Sequence, residues 1–200
     1  MLKSKVVLLG NSTVGKTSIL HQFKLNQFTQ NVDSTIGCEF FAKSVFINNE
    51  EIKLLLWDTA GQEVFRSFTQ NFLRGAKLVL IIFDVSNYSS FLNIEHWLNE
   101  TKKISSNIKI IIAGNKSDLI SQVTDNEIKE LIKNKQSEYN FDYYGTLSAR
   151  NYESVDKLFN YIGDKLLSDK SYLTESDSQD DKNLVDLEKD NEYNICCSIS

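Results

Sequence analysis

The residues with the clearest chemistry lie near the start of the chain. Gly10–Thr17 reads GNSTVGKT and fits the pattern G-x-x-x-x-G-K-[ST]. A polyphosphate carries several negative charges, and successive backbone N–H groups ahead of a helix N-terminus can face them. Gly10 and Gly15 permit the close approach, Lys16 reaches the terminal phosphates, and the Thr17 hydroxyl ligates Mg²⁺. In isolation the same residues could form a glycine turn with a surface lysine. An apolar strand before them and a helical stretch after them favour the phosphate site.

Two further blocks supply what a phosphate loop lacks. Asn115–Asp118, NKSD, follows an apolar run, and the Asp118 carboxylate can accept hydrogen bonds from N1 and the exocyclic amine of guanine. Adenine offers no such pair of donors. Trp57–Glu63, WDTAGQE, puts Asp58 at a strand tip, where it can hold the hydration shell of a metal ion. Gly61 can offer its backbone N–H to a γ-phosphate, and Gln62 can orient an attacking water. Each block alone could be a polar turn; their order along the chain is the signal. His21 and His96 fall within helical stretches and are read as surface or packing residues rather than ligands.

The elements that must position these residues follow from hydrophobic periodicity. Val6–Leu9, Leu78–Val85 and Ile108–Ala113 are near-continuous apolar runs, as strands covered on both faces of a parallel sheet should be. Phe40–Ile47 and Ile52–Trp57 read as strands joined by a hairpin turn at Asn48-Asn49-Glu50. Helical spacing appears at Ile19, Leu20 and Phe23, and again from Phe91 through Ile94, Trp97 and Leu98 to Thr101. Ile128, Leu131 and Ile132 mark another helix, and Val155 to Leu166 a last one. Strands alternating with helices predict an α/β fold with a parallel sheet and right-handed crossovers.

Composition narrows the class. The 200 residues carry a net charge of −5, but nine acids against three lysines stand in residues 169–200. Residues 1–168 hold 19 basic and 18 acidic side chains. A near-neutral body at 1–168 is therefore followed by an acidic tail at 169–200, too poor in large apolar residues to offset its own ordering entropy. A short amphipathic helix around Leu184–Leu187 is the alternative for part of it. The charge balance argues against nucleic-acid binding. No apolar run is long enough to span a bilayer, and Met1–Leu9 lacks the pattern of a signal peptide. Three cysteines do not make a disulfide scaffold and point to a reducing compartment.

Taken together, GNSTVGKT, WDTAGQE, NKSD and Ser148-Ala149-Arg150 resemble the Ras-like small GTPases over Lys3 to about Leu167. Within them, STIGCEF at Ser34–Phe40 and VFRSFTQNFLRGA at Val64–Ala76 are similar to the two switch segments of the Rab family. The resemblance implies the P-loop fold of a small G protein. That fold has a six-stranded, mostly parallel sheet with one antiparallel edge strand and helices on both faces.

The resemblance also implies a set of site residues. Nucleotide contacts fall on Gly10, Asn11, Ser12, Thr13, Val14, Gly15, Lys16, Thr17, Ser18, Phe28 and Thr35, then on Asp58, Thr59, Ala60, Gly61 and Gln62. Asn115, Lys116, Asp118, Ser148, Ala149 and Arg150 complete them. Lys16 and Gln62 are the catalytic pair, and Thr17, Thr35 and Asp58 form the Mg²⁺ site. Phe28 packs edge-on against the base, and the Ala149 N–H meets the guanine O6. Effectors would read Val32, Asp33, Ser34, Thr35, Ile36, Gly37, Cys38, Glu39 and Phe40, with Trp57 and Phe72. Five positions depart: Cys38 for valine, Phe72 and Leu73 for tyrosines, Arg150 for lysine, and Thr13 for glycine or alanine.

The adjacent Cys196 and Cys197 resemble the double-cysteine ends that receive geranylgeranyl groups, and Cys197-Ser-Ile-Ser also reads loosely as C-a-a-X. An acidic tail cannot use anionic lipid as a second anchor, which points to modification of both. The partners implied are GTP and GDP, an exchange factor, an activating protein, a dissociation inhibitor or escort, and effectors. The expected chain is a monomer on the cytoplasmic face of an intracellular or plasma membrane, with an escorted cytosolic pool. A nucleotide-locked scaffold with little hydrolysis is one alternative. A P-loop ATP enzyme such as a kinase is another, disfavoured by the NKSD block.

Overall fold

The computed structural model describes residues 1–28, 38–59 and 66–175, the side chains of 66–69 excepted. Its spine is β1 (Leu2–Leu9), which runs parallel to β3 (Glu50–Thr59) on one side and to β4 (Leu78–Asp84) on the other. Beyond β4 come β5 (Lys109–Asn115) and β6 (Phe141–Thr146), both parallel. On the opposite edge, β2 (Cys38–Ile47) lies antiparallel to β3, so the order is β2-β3-β1-β4-β5-β6. The parallel α/β sheet is what the residues predict, and its antiparallel edge strand is what the family resemblance implies.

All of β4 is buried, which explains its unbroken apolar run: both faces of the strand are covered. Between β2 and β3, Asn48 (φ 50°) and Asn49 (φ 66°) make a tight turn with Ile47 opposite Glu50. Positive φ at both central residues matches the right-handed twist of the strands, and asparagine tolerates it.

Helices cover the two faces. On one, α1 (Lys16–Leu25) and α6 (Tyr152–Ser168) bring Phe23 and Phe159 into a stack at 3.8 Å over Leu8, Phe41 and Leu54. On the other, α2 (Arg66–Leu73) contributes Leu73 beside Leu9, Phe83, Trp97 and Leu98. Phe91 to Thr101, read as one helix, form two: α3 (Tyr88–Leu92) and α4 (Ile94–Ile104). Asn87 caps the first, and Asn93 (ψ −2°) interrupts the winding while its N–H donates to the Ser89 carbonyl at 3.2 Å. Asparagine is a poor interior helix residue. The helix α5 (Asp125–Tyr139) opens with a reciprocal Thr124–Glu127 capping box.

The packed chain continues past Ser168, where composition turns acidic. A 3₁₀ turn at Lys170–Tyr172 leads to buried Leu173 and to β7 (Thr174–Glu175), a seventh strand antiparallel to Leu2 and Lys3. The Ser4 hydroxyl donates to the Tyr172 carbonyl at 3.0 Å, and that of Thr174 to the Lys3 carbonyl at 3.3 Å. β4 pairs with β1 only from Val6 onward, so the first residues of β1 have an open edge that β7 fills. The rest of the tail, including Leu184–Leu187, lies outside the described residues.

Candidate functional site

The loop between β1 and α1 has the shape its sequence demands. Gly10 (φ 143°) lies so close to the Ile82 carbonyl that a side chain there has no room. Gly15 (φ 95°) caps α1 without any side-chain hydrogen bond, and the first turn of α1 holds no acid. The amides at that helix start are therefore available to an anion. Lys16 is 5% exposed, and its Nζ donates to the carbonyls of Gly10 and Asn11, both at 2.9 Å. Burial lowers its pKa to about 8, against a smaller opposing pull from Asp58. Val14 is buried, Asn11, Ser12, Thr17 and Ser18 are half-buried, and Thr13 is exposed.

Thr13 is held at φ 62°. For a β-branched residue the left-handed region costs about 1–3 kcal/mol. Thr13→Gly should therefore raise stability by ~1 kcal/mol after the entropy cost of glycine is subtracted. Denaturant midpoints of the GDP-loaded proteins check this, and a lowered midpoint would show that Thr13 fits its position without strain.

Beside the loop, the Thr17 hydroxyl donates to Asp58 Oδ2 at 2.5 Å, and Asp58 is 1% exposed at the end of β3. The Thr59 hydroxyl donates to the Leu8 carbonyl at 2.6 Å, tying that strand end to β1. A hydroxyl and a carboxylate held together are hard oxygen donors. Mg²⁺ takes such a sparse protein set and completes its shell with water and phosphate oxygens. The described residues contain no group of three or more His, Cys, Asp or Glu that could hold an ion unaided.

The base side is joined to the phosphate side by one residue. Asn115, 1% exposed, donates from Nδ2 to the Val14 carbonyl at 2.8 Å and accepts the Ala149 N–H at 3.0 Å. Asp118 is oriented from both sides: Ser148 Oγ donates to its Oδ1 at 2.6 Å, and Arg150 Nε lies 3.3 Å from its Oδ2. The Arg150 guanidinium also sits 5.2 Å over the ring of Phe28, which is 38% exposed. Lys116 (φ 65°) pairs with Asp84 at 2.7 Å. Asp84 Oδ1 in turn accepts from the backbone N–H and hydroxyl of Ser86, at 2.9 and 2.7 Å.

At the β2–β3 end, Phe40 and Trp57 have ring centroids 5.0 Å apart, and Trp57 and Phe72 6.3 Å apart. Phe40 is 6% exposed, whereas Trp57 and Phe72 are half-buried, and Lys5 Nζ lies 4.6 Å over the Trp57 ring. Cys38 is buried. Glu39 Oε2 lies 3.7 Å from His21 Nε2, and the pairing between them lowers the Glu39 pKa and raises that of His21. His96 stands edge-on to Trp97 at 5.0 Å. Val32, Asp33, Ser34, Thr35, Ile36, Gly37, Ala60, Gly61, Gln62, Cys196 and Cys197 lie outside the described residues.

Two residues at this site escape sequence reasoning. Asp84 ends an apolar strand and reads as its polar terminus, yet it holds Lys116. Trp97 reads as helix core, yet its Nε1 donates to Asn11 Oδ1 in the phosphate loop at 3.1 Å. Neither pairing leaves a local signal, because the partners are far apart in the chain.

The Ras family matches residues 5–168. Rab-2B of Dictyostelium discoideum is 39% identical over 166 residues, 82% of this chain and 80% of its own length. Human Rab-30 is 38% identical over the same shares of both chains. RABE1e of Arabidopsis thaliana is 34% identical over 209 residues, 97% of this chain and 92% of its own. With the family matched over residues 5–168 and such relatives spanning most of their own length, the chain belongs to the Ras family as a Rab-like small GTPase.

Proposed function

We propose that the chain is a switch in vesicle traffic that binds GTP and GDP, hydrolyses GTP slowly, and engages effectors in its GTP state. The observation that carries this reading is the Asn115 bridge. It fixes the phosphate loop at Val14 against the loop of Ala149, next to the carboxylate of Asp118. A guanine nucleotide laid across it would meet N–H donors at its phosphates and a carboxylate at its N1 edge.

Phosphoryl transfer needs neutralised charge and an aligned water more than covalent chemistry. Lys16 would offset phosphate charge, and phosphate contact would return its ammonium to a favourable setting. Thr17 and Asp58, with Thr35, would hold Mg²⁺, whose chemistry is charge neutralisation at the phosphate oxygens. Gln62 would orient the water. Loss of the γ-phosphate would remove its contacts to Thr35 and Gly61 and relax both switch segments. No arginine in the sequence is a candidate to complete this set in cis, which leaves acceleration to an activating protein in trans. Single-turnover hydrolysis by wild type and Gln62→Leu tests the assignment: a variant slower by at least ~10-fold is expected, and equal rates would remove Gln62 from the mechanism.

Half-buried Trp57 and Phe72, with buried Phe40 packed against Trp57, support a surface read by effectors, flanked by Val32–Glu39. An exchange factor and a dissociation inhibitor or escort complete the cycle of a monomer that does not bind nucleic acid. Among the described residues no helix is long and apolar enough to cross a membrane. Attachment to a cytoplasmic membrane face is assigned to prenyl groups on Cys196 and Cys197. Intact mass after expression in a eukaryotic cell should show two lipids, and an unmodified end would refute the anchor. A nucleotide-locked scaffold is the second reading, favoured only by the strained Thr13 in the phosphate loop.

A further inference from the structure

Asn11 is held at two points. Its carbonyl accepts from Lys16 Nζ at 2.9 Å, and its side-chain Oδ1 accepts from Trp97 Nε1 at 3.1 Å. The first contact belongs to the phosphate loop's own geometry. The second comes from α4, 86 residues further along the chain. Trp97 itself is fixed: it is 5% exposed, His96 stands edge-on against it at 5.0 Å, and the Thr101 hydroxyl donates to its carbonyl at 2.9 Å. An indole has one N–H and no acceptor, so its orientation selects a single partner. That partner is the residue whose carbonyl holds the lysine ammonium.

We propose that Trp97 is a positioning residue for the phosphate loop, acting through Asn11 on Lys16. A packed indole would be satisfied by any nearby acceptor or by water. Here it instead pins the side chain of a loop residue whose main chain must stay in register with Lys16. The same helix packs against α2, so the bond ties the phosphate loop to the helix that lies within the second switch-like segment, Val64–Ala76. With the N–H removed, Asn11 Oδ1 loses its donor and the Asn11 peptide loses its tether. The lysine is then held mainly through Gly10. The inference rests on the reading of Gly10–Thr17 as a nucleotide site.

The test is the rate of GDP release from the full chain for Trp97→Phe, Asn11→Ala and the double variant. Phenylalanine removes the donor and leaves a smaller packed ring, and the cycle with Asn11→Ala separates the lost bond from the lost packing. Each single change should speed release about threefold to tenfold, the range for one net hydrogen bond, and the double should release no faster than the faster single. A core-packing role for Trp97 predicts multiplied effects instead, and multiplied effects or an unchanged Trp97→Phe rate would overturn the proposal. Should Trp97→Phe fail to fold, the indole N–H resonance of Trp97 in wild type and Asn11→Ala decides. An upfield move on losing the acceptor supports the bond, and an unmoved resonance contradicts it. A wild-type chain that retains no GDP would overturn the nucleotide-site reading itself, a result distinct from either.

Discussion

Asn115→Ala should destabilise the GDP-bound chain by about 2–4 kcal/mol, because it strands two buried groups at once. The Val14 carbonyl loses the Nδ2 donor and the Ala149 N–H loses the Oδ1 acceptor, in a position 1% exposed. Leaving each buried polar group unsatisfied costs about 1–3 kcal/mol, and alanine offers neither with a replacement. The loss should also reach the nucleotide. With the bridge gone, the loops of Val14 and Ala149 move independently, and GDP affinity should fall by about 10- to 100-fold. Denaturant unfolding and GDP dissociation measured on the same protein check both effects. A midpoint shift equivalent to less than ~0.5 kcal/mol would mean that Asn115 is only a surface of the pocket and not its keystone.

Asp118→Asn is expected to change which base is bound rather than whether the protein folds. The carboxylate is acceptor-only, and guanine presents two donors toward it; an amide turns one of those acceptors into a donor. Two donors then face each other, and GDP affinity should fall by at least ~100-fold, as in sites whose buried polar groups lose their match. A base carrying a carbonyl in place of the exocyclic amine restores complementarity, so xanthosine diphosphate should bind the variant better than GDP does. Ser148 Oγ, 2.6 Å from Oδ1, can still donate to the amide oxygen. Arg150 would lose its ionic partner while keeping its place over Phe28. Competition between the two nucleotides for wild type and variant gives the answer. Unchanged preference for GDP would show that Asp118 does not read the base.

Chemistry that depends on neighbours along the chain is legible in the sequence. Glycines at the phosphate loop, a lysine and threonine after them, and apolar runs buried on two faces all carry local signatures. Gly10 and Gly15 sit where a side chain has no room. The β2–β3 hairpin turns where two asparagines permit positive φ. Pairing across the fold carries no such mark. Lys116 with Asp84 and Trp97 with Asn11 join elements brought side by side only by the sheet order. The break at Asn93 is hidden for a related reason, since apolar spacing runs straight through it. β7 is hidden because Thr174 and Glu175 sit in an acidic stretch. Their ordering comes from the open edge of β1 and from the burial of Leu173, neither of which composition records.

The central claim is that this pocket holds a guanine nucleotide and turns it over slowly. Its most direct test is single-turnover hydrolysis by the purified full chain with Mg²⁺, run in parallel with GTP and ATP. GTP should be cleaved at a rate on the order of 10⁻⁴–10⁻³ s⁻¹ without any activating protein, the range of Ras-type intrinsic turnover, with no measurable cleavage of ATP. ATP cleaved at a comparable rate, or GTP bound and still intact after several such lifetimes, would contradict the claim.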